Sequence, residues 1–286
     1  MGIDITALKF LQGEVKRGIK FENTLTLGHQ CIYINKLEYA NILKKYGVKN
    51  QTDSIYADAF LKCLGVDTLD IMDASDYEGA TLVHDLNQHL PKDNIKSYDC
   101  LIDGGTLEHV FNFPQAIKTC MELVKMGGNL ILITPWHNYA GHGFYQFSPE
   151  LFYRILSPEN GYCMERMLII QKGKWYSIRN PELVNSRIEI KSAEKTQLYI
   201  SAKRTEIKPV FTKWPQQSDY SSAWANADNK ETSLGYSNTL KDIIMKRIPI
   251  LYKIQKLWRE AKEYHHYSKR KSKWCVPLDD DKGIPM

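Results

Sequence analysis

The sequence predicts an α/β fold, a doubly wound and mostly parallel sheet covered by helices, with a helical extension at its C-terminal end. Two observations predict it. Between residues 24 and 135, five short segments rich in apolar and β-branched residues alternate with segments whose apolar residues recur at helical spacing. The strand-like segments are also continuously apolar, as expected of strands buried on both faces of a parallel sheet.

The predicted elements follow one another along the chain with short connections. Strands are predicted at 24–28, 68–73, 81–87, 98–103 and 129–135, and helices at 36–47, 55–65 and 113–126. Pro114 suits the first turn of the last helix, and Gly127 and Gly128 are a stop signal after it. Beyond the fifth strand we expect a loop, a helix and two further strands, MLIIQKGKWYSI and QLYISAKR, which complete the sheet before Thr205.

Composition divides the chain into three parts: an α/β domain over 1–205, a linker-like segment over 206–238, and a basic amphipathic extension over 239–286. Pro249 is expected to kink or delay the helix of the extension. Two interpretations of the extension stay open: packing on the domain or on a second subunit, and peripheral contact with an anionic membrane surface. Nucleic-acid binding is not expected, because base-stacking modules are absent. The oligomeric state is left open.

The composition is that of a globular protein. The chain has 286 residues, 43% of them hydrophobic, and a formal net charge of +5. No apolar run approaches the roughly 18 residues that span a bilayer, and the first residues lack the apolar stretch of a secretory signal. We therefore expect a cytoplasmic protein, with the membrane surface as an alternative through the extension.

The six cysteines are scattered, with no CxxC or other close pair. Zinc sites and disulfide frameworks have characteristic cysteine spacings, and none is present. The sequence therefore predicts reduced, mostly buried thiols and no metal site.

Polar residues and glycines follow the predicted strands. In an open α/β sheet, ligands bind beyond the carboxyl ends of the strands, where the strand order reverses. The strands are followed by Gly28-His29-Gln30, Asp73-Ala74-Ser75-Asp76, Asp85-Leu86-Asn87, Asp103-Gly104-Gly105 and Pro135-Trp136-His137. Glycines after the fourth strand let a ligand approach the backbone closely. These strand ends therefore predict a ligand cleft.

Two stretches carry a family resemblance. YDCLIDGGTLEHVFN at 98–112, with its Leu-Glu-His-Val run, and GGNLILITP at 127–135 resemble segments of class I S-adenosylmethionine-dependent methyltransferases, and the resemblance covers roughly residues 20 to 200. It implies a Rossmann-like fold with S-adenosylmethionine as cofactor. Carried over by position, it implies Gly28 under the methionine part, Asp73 near the ribose, Asp85 near the adenine amino group, and Asp103 and Gly104 beside the sulfonium.

The first strand departs from the family pattern. An acidic residue followed by several glycines is expected there, whereas this chain has only Gly28, followed by His29 and Gln30. One interpretation is that the cofactor is held differently, with Gln30 as a polar substitute. The other is a non-catalytic methyltransferase-like domain that serves as a binding or scaffold module.

The resemblance implies an enzyme that transfers a methyl group to a small-molecule acceptor. We expect the acceptor to be a hydroxyl of a saccharide or glycan precursor, because the loop at 137–150 combines histidines and glycines with aromatic rings, as a substrate lid does. A hydroxyl acceptor needs a base, and imidazole titrates near neutral pH. The candidate catalytic bases are His109, His137 and His142, with His137 first because it directly follows the fifth strand.

Overall fold

The computed structural model describes most of the chain. The described residues are 2–48, 54–91, 96–184, 187–190, 192–220, 253–254, 257–258, 260–261 and 274–278. Their strands are β1 Gly2–Ile3, β2 Asn23–Leu27, β3 Cys31–Ile32, β4 Thr68–Asp73, β5 Leu82–Val83, β6 Tyr98–Asp103, β7 Val124–His137, β8 Tyr162–Gln171, β9 Lys174–Ile178, β10 Thr196–Arg204 and β11 Cys275–Pro277. Their α-helices are α1 Ile5–Lys16, α2 Lys36–Lys45, α3 Asp58–Cys63, α4 Phe113–Leu123, α5 Pro149–Ile155 and α6 Pro181–Val184.

Nine of the described strands form one sheet in the order β11-β9-β8-β10-β7-β6-β2-β4-β5. The pairs within β7-β6-β2-β4-β5 are all parallel. The remaining pairs are antiparallel, so β9 and β10 run against the other seven strands. The predicted doubly wound, mostly parallel sheet is confirmed.

Both faces of the sheet are covered, as expected of a parallel sheet whose central strands are buried on both sides. All six residues of β6 are buried. Their side chains alternate between two hydrophobic clusters: Leu101 packs with residues of α4 and α5, whereas Cys100 and Ile102 pack with residues of α1, α2 and α3. The two faces of one strand thus bind helices from different parts of the chain.

Several element bounds differ from the predicted ones. The third strand, predicted over 81–87, is only the two-residue β5. The helix expected to reach Met126 ends at Leu123, and β7 begins at once, before the two glycines. A Cβ on Gly128 would lie 2.8 Å from the Asp99 carbonyl oxygen, so this glycine permits close approach of β7 to β6.

The segment predicted as one strand, MLIIQKGKWYSI, is a hairpin of β8 and β9. Its turn residues Lys172 and Gly173 have φ values of 49° and 70°. Two consecutive left-handed residues reverse an antiparallel pair tightly, which adds a strand to the sheet.

The N-terminal elements α1, β1 and β3 are absent from the sequence-based prediction. The side chain of Asp4 accepts a hydrogen bond of 2.7 Å from the Ala7 amide and so caps α1. Strands β1 and β3 form a separate parallel pair, joining Gly2 to Cys31. The capping aspartate followed by apolar residues at helical spacing was the available signal for the helix.

The C-terminal extension is not wholly separate from the sheet. Strand β11 lies within the predicted extension over 239–286, yet it pairs with β9, and Trp274 before it is buried in the core. Part of the predicted linker also packs on the domain, because Val210 is buried. The three-part division otherwise remains a prediction, since most of the basic stretch lies outside the described residues.

Candidate active site at the carboxyl ends of the parallel strands

The strand order reverses at β2. This strand lies between β4 on one side and β6 on the other, with Leu27 opposite both Met72 and Asp103. The three carboxyl ends therefore meet at one edge of the sheet. That edge is where open α/β sheets bind ligands.

The turn after β2 is closely packed against the end of β6. Gly28 has a φ of 68°, and its amide donates to the Met72 carbonyl oxygen at 2.7 Å. Gln30 is buried, and its Nε2 donates to the Leu27 carbonyl oxygen at 2.6 Å. A Cβ on Gly104 would overlap the Gln30 Oε1. The predicted close approach to the glycine after β6 is thus made by the Gln30 side chain.

His29, between these two residues, is turned toward α3 and the loop after β4. Its ring is stacked on Tyr56, with centroids 3.5 Å apart and planes 2° from parallel. Nδ1 lies 2.8 Å from the Glu78 carbonyl oxygen, and Nε2 lies 2.9 Å from Asp58 Oδ1. The imidazole that replaces an expected glycine is therefore held by three neighbours.

Asp73 and Asp85, the predicted ribose and adenine partners, occupy different environments. Asp73 ends β4 and is half-buried, and its Oδ1 accepts a hydrogen bond from the Ala74 amide at 2.6 Å. Asp85 is exposed in the turn after the short β5. Its Oδ1 accepts from the backbone and side-chain amides of Asn87, which lower the pKa of this carboxyl. Asp73 is therefore the one that directly adjoins the switch point.

The turn after β6 buries two carboxyl groups. Asp103 is 0% exposed and Glu108 is 1% exposed. Burial raises the pKa of Asp103 to about 8, with a further contribution from the charge of Glu108, and burial raises the pKa of Glu108 to about 7. Asp103 Oδ1 accepts from the Thr106 amide at 2.7 Å. Asp103 Oδ2 and Glu108 Oε2 have no hydrogen-bond partner among the described residues.

Two of the three candidate histidines lie beside Glu108. The Nε2 atom of His142 is 3.5 Å from Glu108 Oε1, and the rings of His109 and His142 are 5.0 Å apart. One ligand atom from each of the three residues lies within 4.8 Å of the others. Desolvation lowers the pKa of His109, and the nearby His142 adds to this effect. We call Glu108, His109 and His142 the acid–imidazole cluster.

The loop that carries His142 is fastened over this turn. The amides of Phe144 and Tyr145 both donate to the Glu108 carbonyl oxygen, at 2.7 and 3.2 Å. Gly143 has a φ of 70°, and a Cβ there would lie 2.7 Å from the same oxygen. This position therefore requires glycine for both reasons.

His137 has a different neighbour. Its Nε2 lies 3.2 Å from the Ser192 carbonyl oxygen, in the segment before β10, where the neighbouring Asn138 side chain also donates to that oxygen. The structure thus brings His109 and His142 together and places His137 against another loop. Its role as base stays a prediction.

Aromatic rings border the acid–imidazole cluster. Phe111 and Phe144 are 72% and 67% exposed, and their rings pack edge to face at 5.9 Å. The Tyr145 hydroxyl donates to the Phe111 carbonyl oxygen, and the Tyr139 ring lies 5.6 Å from that of His142. The aromatic side chains predicted for the lid therefore do lie beside the candidate acid–base groups.

The sequence placed Glu108 only within the Leu-Glu-His-Val run and gave no role to Thr106. The Thr106 hydroxyl donates to the Leu27 carbonyl oxygen at 2.8 Å, which ties the turn after β6 to that after β2. The adjacent Glu-His pair after a buried strand was the available signal for the cluster. Nothing in the pattern indicated the contact made by the threonine.

None of the helices in the described part of the chain is both long enough and apolar enough to cross a membrane.

No protein-family model matches the sequence, and no curated protein matches it. Among solved structures, the N-methyltransferase NodS from Bradyrhizobium japonicum is 12% identical, with a TM-score of 0.39 over 70% of this chain and 94% of that one. The 1,6-didemethyltoxoflavin-N1-methyltransferase of Burkholderia thailandensis is 10% identical, with a TM-score of 0.40 over 70% and 78%. A branched-chain polyamine synthase from Thermus thermophilus is 12% identical, with a TM-score of 0.38 over 74% of this chain, and the match spans 61% of its length. Similarities at this level carry no argument about function.

Proposed function

We propose that this chain binds S-adenosylmethionine at the switch point of the sheet and transfers its methyl group to a small-molecule acceptor. One observation carries the proposal: Glu108 and His109, in contact with His142, follow closely after β6, whose last residue Asp103 lies opposite Leu27, just before Gly28. A cofactor edge and a group of proton-handling side chains are thus combined in one region of the sheet.

The residues at the switch point fit such a cofactor. Asp73 ends the strand beside Gly28 and offers a half-buried carboxylate, which suits the two hydroxyls of a ribose. Gln30 Oε1 and Asp103 Oδ2 are buried polar atoms that lack partners among the described residues. Such atoms cost stability unless they are paired, and a polar ligand would pair them. Gln30 and Asp103 would hold the amino-acid part, and Asp73 the ribose.

When bound, S-adenosylmethionine supplies an electrophilic methyl group, whose carbon–sulfur bond breaks with its electron pair left on sulfur. The residues of the chain have two tasks: to align the acceptor with that methyl group, and to remove the proton that the acceptor loses. We assign the proton to the acid–imidazole cluster. Its three members lie within 4.8 Å of one another, and His142 belongs to the loop with glycines at 141 and 143.

For the acceptor we propose a hydroxyl of a saccharide or glycan precursor. The exposed rings of Phe111 and Phe144 offer apolar faces beside the cluster, and Tyr139 lies next to His142. Aromatic faces combined with polar groups suit a sugar ring. Incubating the protein with S-adenosylmethionine and a panel of free and lipid-linked sugars, with amines of similar size as controls, tests this substrate class. Methylated sugars detected by mass spectrometry are expected, and methylated amines alone would contradict the hydroxyl assignment.

The competing function is a non-catalytic binding module. The His29 and Gln30 side chains favour it, since they fill the turn where the methyltransferase pattern has glycines. Calorimetric titration with S-adenosylmethionine and S-adenosylhomocysteine decides between the two. One-to-one binding of either supports the enzyme, and absence of binding in folded protein supports the module.

A further inference from the structure

The geometry of the acid–imidazole cluster matches a metal site. Ligand atoms bound tetrahedrally to one ion at about 2.1 Å stand about 3.4 Å from one another. Glu108 Oε1 and His142 Nε2 are 3.5 Å apart, and a His109 ring nitrogen lies within 4.8 Å of both. Tetrahedral ligation would bring the His109 nitrogen closer, to about 3.4 Å from the other two atoms.

We propose that Glu108, His109 and His142 bind a divalent transition metal ion of the Zn²⁺ or Co²⁺ type. Two imidazoles and one carboxylate are a ligand set that these borderline ions accept, whereas Mg²⁺ and Ca²⁺ prefer oxygen ligands. The sequence predicted no metal site, on the ground of its scattered cysteines. This cluster contains no cysteine, so the spacing of cysteines does not bear on it.

A second observation points to a bound cation. Glu108 is 1% exposed, and its Oε2 has no hydrogen-bond partner among the described residues, although a buried carboxylate oxygen is costly to leave unpaired. The neighbouring Asp103, 0% exposed, likewise has an unpartnered Oδ2. A divalent ion supplies the positive charge that compensates such buried carboxyl groups.

The backbone holds the ligands in place before any ion binds. The turn of Glu108 and His109 is anchored through Thr106, whose amide donates to Asp103 and whose hydroxyl donates to Leu27. The loop of His142 is anchored on the Glu108 carbonyl oxygen by two amides. Ligands on two segments that are hydrogen-bonded to each other form a preorganised site, which lowers the cost of binding.

Three protein ligands leave at least one coordination position open, as in catalytic rather than structural zinc sites. If the chain is the methyltransferase proposed above, the three side chains would act through the ion instead of accepting the proton themselves, and an acceptor hydroxyl bound at the open position would lose its proton to solvent more readily. Only this role depends on the proposed function. Metal binding itself depends on the three side chains alone.

The test titrates the full chain, freed of metal with EDTA, with Co²⁺ and with Zn²⁺. We expect one ion per chain, and binding at least about 100-fold weaker in His109→Ala and His142→Ala. His84→Ala is the matched control, because its Nε2 contacts the Gln88 carbonyl oxygen in a separate loop. Equal affinity in wild type and both cluster variants would overturn the proposal, as would the absence of one-to-one binding in folded protein.

Two further measurements keep the outcomes distinct. The Co²⁺ complex should absorb without an intense cobalt–thiolate band, and such a band would place the ion on cysteines instead. Mg²⁺ at equal concentration should not displace Co²⁺, and displacement would contradict imidazole ligation. Titration of the same samples with S-adenosylmethionine tests the proposed function separately, since metal binding without cofactor binding refutes only the methyltransferase.

Discussion

The two turns that meet at the switch point differ in how their polar side chains are satisfied. After β2, both ring nitrogens of His29 have partners and the ring is stacked on Tyr56, while the buried oxygen without a partner among the described residues is the neutral amide oxygen of Gln30. After β6, Asp103 and Glu108 are equally inaccessible to water, yet each keeps an oxygen without a partner among the described residues. Native structures satisfy nearly all buried polar groups, so exceptions need an explanation.

The difference assigns separate tasks to the two turns. The turn after β2 is held mainly by its own contacts and leaves one neutral amide oxygen, on Gln30, without a partner among the described residues. In the turn after β6, two buried carboxyl groups each have an oxygen without a hydrogen-bond partner among the described residues. A bound ligand, an ion or a proton can compensate these oxygens. Four predictions test this contrast, beginning with the largest expected effect.

Replacing His142 by alanine should impair the acid–imidazole cluster beside the turn after β6 and leave the turn after β2 intact. Turnover of an acceptor that the wild type methylates should fall about a hundred- to ten-thousand-fold, the usual contribution of a group that handles the transferred proton. The affinity for S-adenosylmethionine should stay unchanged, because the contacts of the His142 ring within the described part of the chain are with Glu108, His109 and Tyr139. Initial rates and calorimetry measure the two quantities, with His84→Ala as control. Wild-type turnover in His142→Ala would show that His142 does not handle the transferred proton.

Replacing Asp103 by asparagine should change how stability depends on pH. Burial raises the pKa of this carboxyl from an ordinary 3.8 to about 8, so the folded protein retains a proton that the unfolded chain has lost. Its contribution is therefore most favourable below the unfolded pKa and is lost as the pH rises through about 8. The free energy of unfolding of the variant should exceed that of the wild type by on the order of a few kcal/mol at about pH 8. At about pH 4 the two free energies should be nearly equal.

Urea unfolding across that pH range, with EDTA present, measures the effect. The asparagine oxygen can still accept the Thr106 amide bond, so the substitution removes the titration and keeps this contact. If the difference in free energy of unfolding between the two proteins is the same at every pH, the carboxyl does not titrate as its burial requires.

Replacing Asp73 by alanine should weaken S-adenosylmethionine binding by about 1.5 to 3 kcal/mol, roughly 10- to 150-fold, the scale of hydrogen bonds to a charged group. Asp67 is the matched control, an exposed aspartate just before the opposite end of the same strand. Calorimetry should find wild-type affinity in Asp67→Ala. Equal affinity in both variants would show that the ribose does not bind at Asp73.

Replacing Thr106 by valine removes the hydrogen bond that joins the two turns and should have the smallest effect of the four changes. We expect the free energy of unfolding to fall by about 0.5 to 1.5 kcal/mol. The loss stays small because the Leu27 carbonyl oxygen retains its bond from Gln30. Thr106→Ser keeps the hydroxyl and should retain most of the stability in thermal unfolding. A serine variant as unstable as the valine variant would attribute the effect to packing.

The order and type of the central elements could be predicted from the sequence. β4 has the predicted bounds, because a short apolar run between polar turns allows few alternatives. β11 could not be predicted, because a three-residue strand has no periodic signal and its partner β9 lies about a hundred residues earlier. The join of α4 to β7 was also missed, since packing against β6 extends the strand to Val124, ahead of the glycines.

The sequence by itself determined which polar residues lie at the carboxyl ends of the strands, because strand direction and the position of each turn follow from local pattern. Only the tertiary structure decided which of them meet. The contact of His142 with Glu108 depends on two amides that fasten a distant loop to one carbonyl oxygen. The burial of Glu108 likewise depends on residues of other segments, such as Gly143 and Phe144, that pack against it. Such contacts join segments far apart in sequence, and their free energy exists only once the chain is folded, so no local pattern encodes them.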